Sequence, residues 1–442
     1  MAEIHAGVAQ RLDEHLVLRS VADARDIERF AAFHRAINGA DQGATCAALL
    51  RDHPAVRREH FLLVEDEQTG EIVSTTCLIP WQCRLEDVPL AVAMLEMVVT
   101  HPDYRKQGLV KAQIEQFHQT VVEEGFDLCI IEGIPYFYRQ FSYGYALDHW
   151  AADGLPATRV PEKVTGPRVQ LRPATESDIP ALLHYYELAM APLALGVLRS
   201  AAEWRYLLRA AHYPTYLIEP AHGGEPLGYV CGWRRGSNGR TIVMPESSIP
   251  NAAVALAVLH AYRTDAAEFL LGWPAGGALV QVGRSLGAQP LEHDQWLLRI
   301  PNLPRLLQKL SPVFARRLAQ SAWSGFSGTL LVNLYHRAYA LQFVDSQLVK
   351  VESAGFVDAS MGADGGDLVI PPDAFLRLLL GYRSLAELRD AWPDIVARPE
   401  RRHLLELLFP KFASYVWMPY LHCGHLLGLP PEPSGIDGAT FS

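Results

Sequence analysis

The segment VVTHPDYRKQGLVKAQIEQFHQTV, residues 98–121, changes character at Arg105, Lys106, Gln107 and Gly108: an apolar strand pattern precedes them and an amphipathic helix pattern comes after. The first turn of a helix leaves backbone N–H groups without partners and carries partial positive charge. An anion seated there gains hydrogen bonds and a favourable field together. Gly108 lets the backbone come close, and Arg105 and Lys106 add full charges. Two of the chain's six lysines, Lys106 and Lys111, stand at this turn. A pyrophosphate suits such a site. The spacing matches neither the GxxxxGK[ST] of a Walker loop nor the GxGxxG of a dinucleotide fingerprint, which leaves another phosphate-bearing cofactor.

Other residues carry weaker signals. Glu96, in MLEMVV, is a carboxylate among apolar neighbours and must face either a cleft or an ion partner. Trp81, in LIPWQC, either lines a substrate pocket or packs in the core. His422 and His425 are spaced like metal ligands, yet no second pair completes a tetrahedral set, and the six cysteines form no CxxC pair. No metal site and no disulfide are expected.

The elements that position the junction read as a strand over 93–100, a helix over about 108–124 stopped by Gly125, and a strand over 126–131, a β-α-β unit. Val110, Ile114, Phe117 and Val121 give the helix one apolar stripe to lay on a sheet. A second segment repeats the plan. LVLRSVADARDI at 16–27 parallels VQLRPATESDI at 169–179, and FLLVEDEQTGEIVSTTC at 61–77 aligns without a gap to TYLIEPAHGGEPLGYVC at 215–231, both read as hairpins. The second copy's strand-to-helix junction is PESSIPN, without Arg or Gly. Proline- and glycine-rich stretches at 153–168 and 299–305 are read as linkers. The segment after Leu306 carries no catalytic signature and suits an α+β unit with a buried interior or a lipid-sized groove.

With 442 residues, 49% hydrophobic and 20% charged, the chain has the balance of a globular protein of two to four domains. A net charge of −10 argues against a nucleic-acid partner and favours a cationic one. No apolar run approaches the roughly 18–20 residues of a membrane span. No membrane association is expected, and without a secretory pattern at the N-terminus the expected location is cytoplasmic.

PDYRKQGLV resembles the pyrophosphate motif R/Q-x-x-G-x-G/A of the GCN5-related N-acetyltransferases (GNAT), with Arg105, Gly108 and Val110 at its defined positions and Val110 departing from the usual small residue. EGIPYFYRQFSYGYAL (132–147) is similar to the second coenzyme-A strand and following helix of the Eis-like branch. The resemblance implies an α/β (α+β) fold. Two tandem GNAT-like mixed-sheet domains, catalytic at 1–155 and degenerate at 166–300, would precede a sterol-carrier-protein-like domain at 305–420 and a tail at 421–442. It further implies acetyl-CoA as co-substrate and a primary-amine acceptor, an aminoglycoside, polyamine or lysine, in a homo-oligomer that by resemblance is a hexamer. Arg105, Lys106, Gln107, Gly108, Leu109 and Val110 would hold the pyrophosphate, and backbone groups of Val98 and Val99 the pantetheine arm. Tyr138 stands where the family's general acid lies, although as a member of an aromatic cluster it also reads as core. The base is either Glu96 or, as in the Eis-like branch, the C-terminal carboxylate, here on Ser442. Trp81 would line the acceptor pocket. The competing reading is a non-catalytic protein that binds acyl-CoA or a lipid.

Overall fold

Fifteen mostly buried residues, Glu71–Leu85, pair with thirteen more, Val88–Thr100, to make the longest ladder among the described residues. The computed structural model describes residues 9–149, 152–236, 239–273, 276–291, 294–359 and 365–420. Among the described residues, the sheet built on this ladder has ten strands. Along its main path they run in the order 9–11, 16–20, 61–66, 71–85, 88–100, 128–131, 295–299 and 144–148. A seven-stranded sheet centres on Thr241–Ser248 and Glu268–Trp273, and a five-stranded sheet on Gly328–Asn333 and Ala338–Val344. The architecture is α/β with mixed sheets.

The repeat seen in the sequence is a repeat of register. Phe61 pairs with Cys77 and Leu63 with Thr75; at the equivalent places Thr215 pairs with Cys231 and Leu217 with Tyr229. An ion triad is duplicated too: Arg19 binds Asp26 and Glu65 at 2.6 and 2.7 Å, and Arg172 binds Asp178 and Glu219 at 2.9 and 2.7 Å. Each arginine ties a strand to the start of a helix and to the neighbouring strand. The two sheets also exchange strands. Asp153–Pro156, at the head of the stretch read as a linker, pairs with Glu268–Trp273 in the second sheet, and Gln295–Arg299 returns to the first between Leu128–Ile131 and Gly144–Asp148.

The expected β-α-β unit is present as strand Val88–Thr100, helix Leu109–Glu123 and strand Leu128–Ile131, with Gly125 at φ 73° ending the helix. Ile114, Phe117 and Val121 are buried and Val110 is half-buried. One element differs from expectation. The stretch after Ile131 forms no α-helix but a five-residue 3₁₀ turn, Phe137–Phe141, flanked by Tyr136 and Ser142 in the left-handed region at φ 69° and 66°. Pro135 and the run of aromatic residues favour such a turn over a longer helix.

Candidate active site

The two parallel strands of the first unit pair only at Val92–Leu128, Ala93–Cys129 and Met94–Ile130. Beyond Met94 they part. On the other side of the long strand Glu96 pairs with Cys77 but Val99 with Thr75, so that Met97 and Val98 together oppose Thr76. This is a β-bulge, and Met97 sits in it at φ 55°, a conformation that costs a side chain about 1–3 kcal/mol. In the second copy the corresponding strands stay together to the end, with Met244 opposite Leu271 and Glu246 opposite Trp273. Glu96 and Glu246 are equivalent, since each pairs with the equivalent cysteine, Cys77 or Cys231.

The parted strands open into a cavity of about 670 Å³. Val98, Val99, Arg105, Lys106, Gly108, Leu109, Val110 and Tyr138 all line it; Gln107 is exposed at the same turn and is not among the lining residues. Gly108 caps the helix at φ 80°, and a Cβ there would point into open space, leaving the approach to the first helical turn clear. Lys106 is also left-handed, at φ 66°. Arg105 and Lys106 are exposed without a carboxylate partner among the described residues, whereas Lys111 pairs with Glu115 at 3.8 Å. At the other wall Ile134 is 68% exposed and Phe137 37%, apolar surface that an apolar ligand arm would cover.

Tyr138 is buried in the 3₁₀ turn, and its position depends on Gly133, where a Cβ would lie 2.3 Å from the ring. Burial and then the charge of Glu96 hold its phenol above the usual tyrosine range, so it carries its proton at neutral pH. Glu96 lies on the opposite face of the strand from helix Leu109–Glu123. Burial pushes its carboxyl up to about 8, against hydrogen bonds from the Tyr420 hydroxyl and Met97, with the charge of Glu132 adding to the rise. One of its oxygens is shut from solvent with no partner. The equivalent Glu246 is neutralised: Arg199 holds it with two bonds of 2.8 and 3.0 Å, and the Tyr229 hydroxyl donates at 2.7 Å. The same carboxylate is thus ion-paired in one copy and, among the described residues, without a counter-charge in the other.

Trp81 is 2% exposed, stacked edge-on to His53 at 5.9 Å, and lines neither this cavity nor a second one of about 430 Å³ formed by helices Ala24–Asn38 and Ala40–Asp52 with His212 and Tyr420. It is placed as a core residue. Ser442, His422 and His425 lie outside the described residues, which end at Tyr420 against Glu96.

The structure adds residues that carried no signal in the sequence. Glu132, just past Ile131, is half-buried, and burial followed by the charge of Asp294 raises its carboxyl to about 7. His149 stands 3.6 Å from it, packed on Trp296 at 4.1 Å and held neutral by burial, which lowers it to about 3. Ligand-capable atoms of Glu132, His149 and Asp294 lie within 4.8 Å of one another. One clue to the register does exist: Met94-Leu95-Glu96 and Met244-Pro245-Glu246 share Met-x-Glu, which aligns the two long strands.

Residues 20–146 match the family model described as an acetyltransferase (GNAT) domain. No curated protein matches the chain. Among solved structures, a probable N-acyltransferase from Enterococcus faecalis V583, a protein of unknown function, superposes with a TM-score of 0.68 at 16% identity over 91% of this chain and 99% of that one. A GCN5-related N-acetyltransferase from Anabaena variabilis gives 0.65 at 15%, and Eis1 from Mycobacterium abscessus 0.60 at 15%, with the same coverage. At these identities the likeness is one of fold.

Proposed function

We propose that this chain, a member of the GNAT superfamily through its acetyltransferase domain at residues 20–146, is an acetyl-CoA-dependent N-acetyltransferase that acts on a primary amine. The observation that carries the reading is the cavity at the parted strands, where a cationic, glycine-capped helix start and the Tyr138 phenol open onto one space. In this reading the pyrophosphate of acetyl-CoA sits at Arg105–Val110, and the pantetheine arm runs beside Val98 and Val99 along the strand edge that has parted from Leu128–Ile131. The amine comes from the side of Tyr420 and helix Ala40–Asp52. Glu96 removes its proton, the nitrogen attacks the thioester carbon, and Tyr138 protonates the departing thiolate. A carboxyl without a counter-charge and with raised proton affinity is suited to this work near neutral pH.

The C-terminal carboxylate is the rival for the role of base, and truncating the tail tests it. The acceptor we favour is a cationic small molecule, an aminoglycoside or polyamine, or else a lysine, in keeping with the net charge of −10. We place the protein in the cytoplasm as a homo-oligomer, with catalysis in the first unit and a non-catalytic role for residues 305–420. No helix among the described residues is long and apolar enough to cross a membrane. The test is thiol release from acetyl-CoA against a panel of polyamines, aminoglycosides and lysine peptides. Amine-dependent release supports the reading; a flat response across the panel would instead favour a binding protein for acyl-CoA.

A further inference from the structure

We propose that Glu132 is a second acid–base residue of this site: it lies across the parted strands from Glu96 and hands the acceptor's protons on, by way of Asp294, to solvent. The inference rests on the reading of Glu96 as the base.

The register of the second copy places the pair. There Glu246 sits opposite Trp273 on the parallel strand. Counting from Met94–Ile130, the matching partners in the first copy are Glu96 and Glu132, which would be neighbours had the strands not separated. Both continue the face that carries Val92, Met94, Leu128 and Ile130 into the core beneath helices Ala24–Asn38 and Ala40–Asp52; the alternate residues Ala93, Leu95, Cys129 and Ile131 pack beneath helix Leu109–Glu123. Two carboxylates therefore belong to the same face, Glu96 on one strand and Glu132 just past the end of the other, next to the cavity rather than among its lining residues.

The proton balance gives the second one a task. When an ammonium becomes an amide, a C–N bond forms, the C–S bond breaks and two protons leave nitrogen; one ends on the thiol sulfur and one in solvent. Glu96 can hold only one proton and must release it before taking another, yet one of its oxygens is closed off. Charged and titratable groups facing Glu96 are Tyr138, Tyr420, Cys77 and Glu132; the two tyrosines line cavities but burial keeps their own protons on them, whereas Glu132 is a carboxyl beside the exposed Asp294 and can take a proton onward. Those facing Glu132 are Glu96, Tyr420, His149 and the exposed Asp294. His149 is neutral and so leaves the negative charge of Glu132 uncompensated, which keeps proton affinity at the pair.

Difference infrared spectra of the full chain across pH test this without an acceptor, because protonated carboxylic acids show a carbonyl stretch that carboxylates lack. The wild type should show a carboxyl that titrates well above the ordinary range, and Glu96→Gln should abolish that titration. Glu132→Gln should move it toward acid by about one pH unit or more, and Asp294→Asn by less in the same direction. Acetyl-CoA affinity, measured in parallel, should be unchanged in the Glu132 and Asp294 variants; should Glu132→Gln fail to fold, Asp294→Asn decides. A midpoint unmoved in the Glu132 and Asp294 variants, with Glu96→Gln abolishing the signal, overturns the pair and leaves the base. A titration that survives Glu96→Gln removes Glu96 as base and the inference with it. A midpoint that shifts on EDTA treatment assigns the cluster to a bound cation and also overturns the proposal.

Discussion

Glu96 and Glu246 offer a matched experiment inside one chain: the same side chain at the same register of the same fold, with opposite surroundings. Carried from its ordinary 4.5 to about 8, Glu96 binds its proton more tightly in the folded than in the unfolded protein between those values. Stability from this residue is therefore complete below pH ~4.5 and is lost as pH rises through ~8. At about 1.36 kcal/mol per pH unit, ionising it in place costs the fold up to about 4–5 kcal/mol above pH ~8. Glu96→Gln removes that cost, so it should stabilise the protein at about pH 8.5 and make little difference at about pH 4.5. Glu246→Gln should do the reverse. It leaves Arg199, whose side chain is 0% exposed, without its counter-charge, a loss of about 3–5 kcal/mol at about pH 8.5. Calorimetric unfolding of the three proteins at both pH values reads the differences directly. If Glu96→Gln lowered the melting temperature at both, the carboxyl would be held by favourable contacts rather than left strained, and its role as a poised base would go with it.

Three further expectations concern the cavity. Arg105→Ala should weaken acetyl-CoA binding by about 1.5–3 kcal/mol, the value of a charge-assisted hydrogen bond, and Gly108→Val by at least as much, because it strains a φ of 80° and fills the approach; calorimetry measures both. Tyr138→Phe keeps the buried ring and removes its proton, so acetyl-CoA affinity should hold while kcat falls roughly 10²-fold in the thiol-release assay. Gly133→Ala should displace the Tyr138 ring, which a Cβ would meet at 2.3 Å, and lower kcat comparably while Arg105 and Gly108 still bind acetyl-CoA; a wild-type rate would show that the ring is not held there.

Much of this site was legible because its signals are local. The helix stripe, the glycine cap and the two cations lie within a few residues of one another, and the hairpin repeat survives as direct alignment. What the sequence concealed depends on pairing between distant segments. The bulge at Met97 has no glycine to announce it, and parting of the strands shows only in the register after Met94. Glu132 and Asp294 are 162 positions apart and meet because Gln295–Arg299 returns from the second unit to pair beside Leu128–Ile131. Trp81 illustrates the converse: its place in a strand leading toward the site suggested a pocket, but strand alternation turns it into the core beside His53.

The central claim, that one of two duplicated units has been opened to hold acetyl-CoA, is tested most directly by calorimetric titration of the intact chain with acetyl-CoA. One site per chain, weakened by Arg105→Ala, is the expected result, since the second copy keeps its strands paired through Glu246–Trp273 and has no cation at its junction. Two equivalent sites per chain, or one whose affinity is indifferent to Arg105, would contradict it.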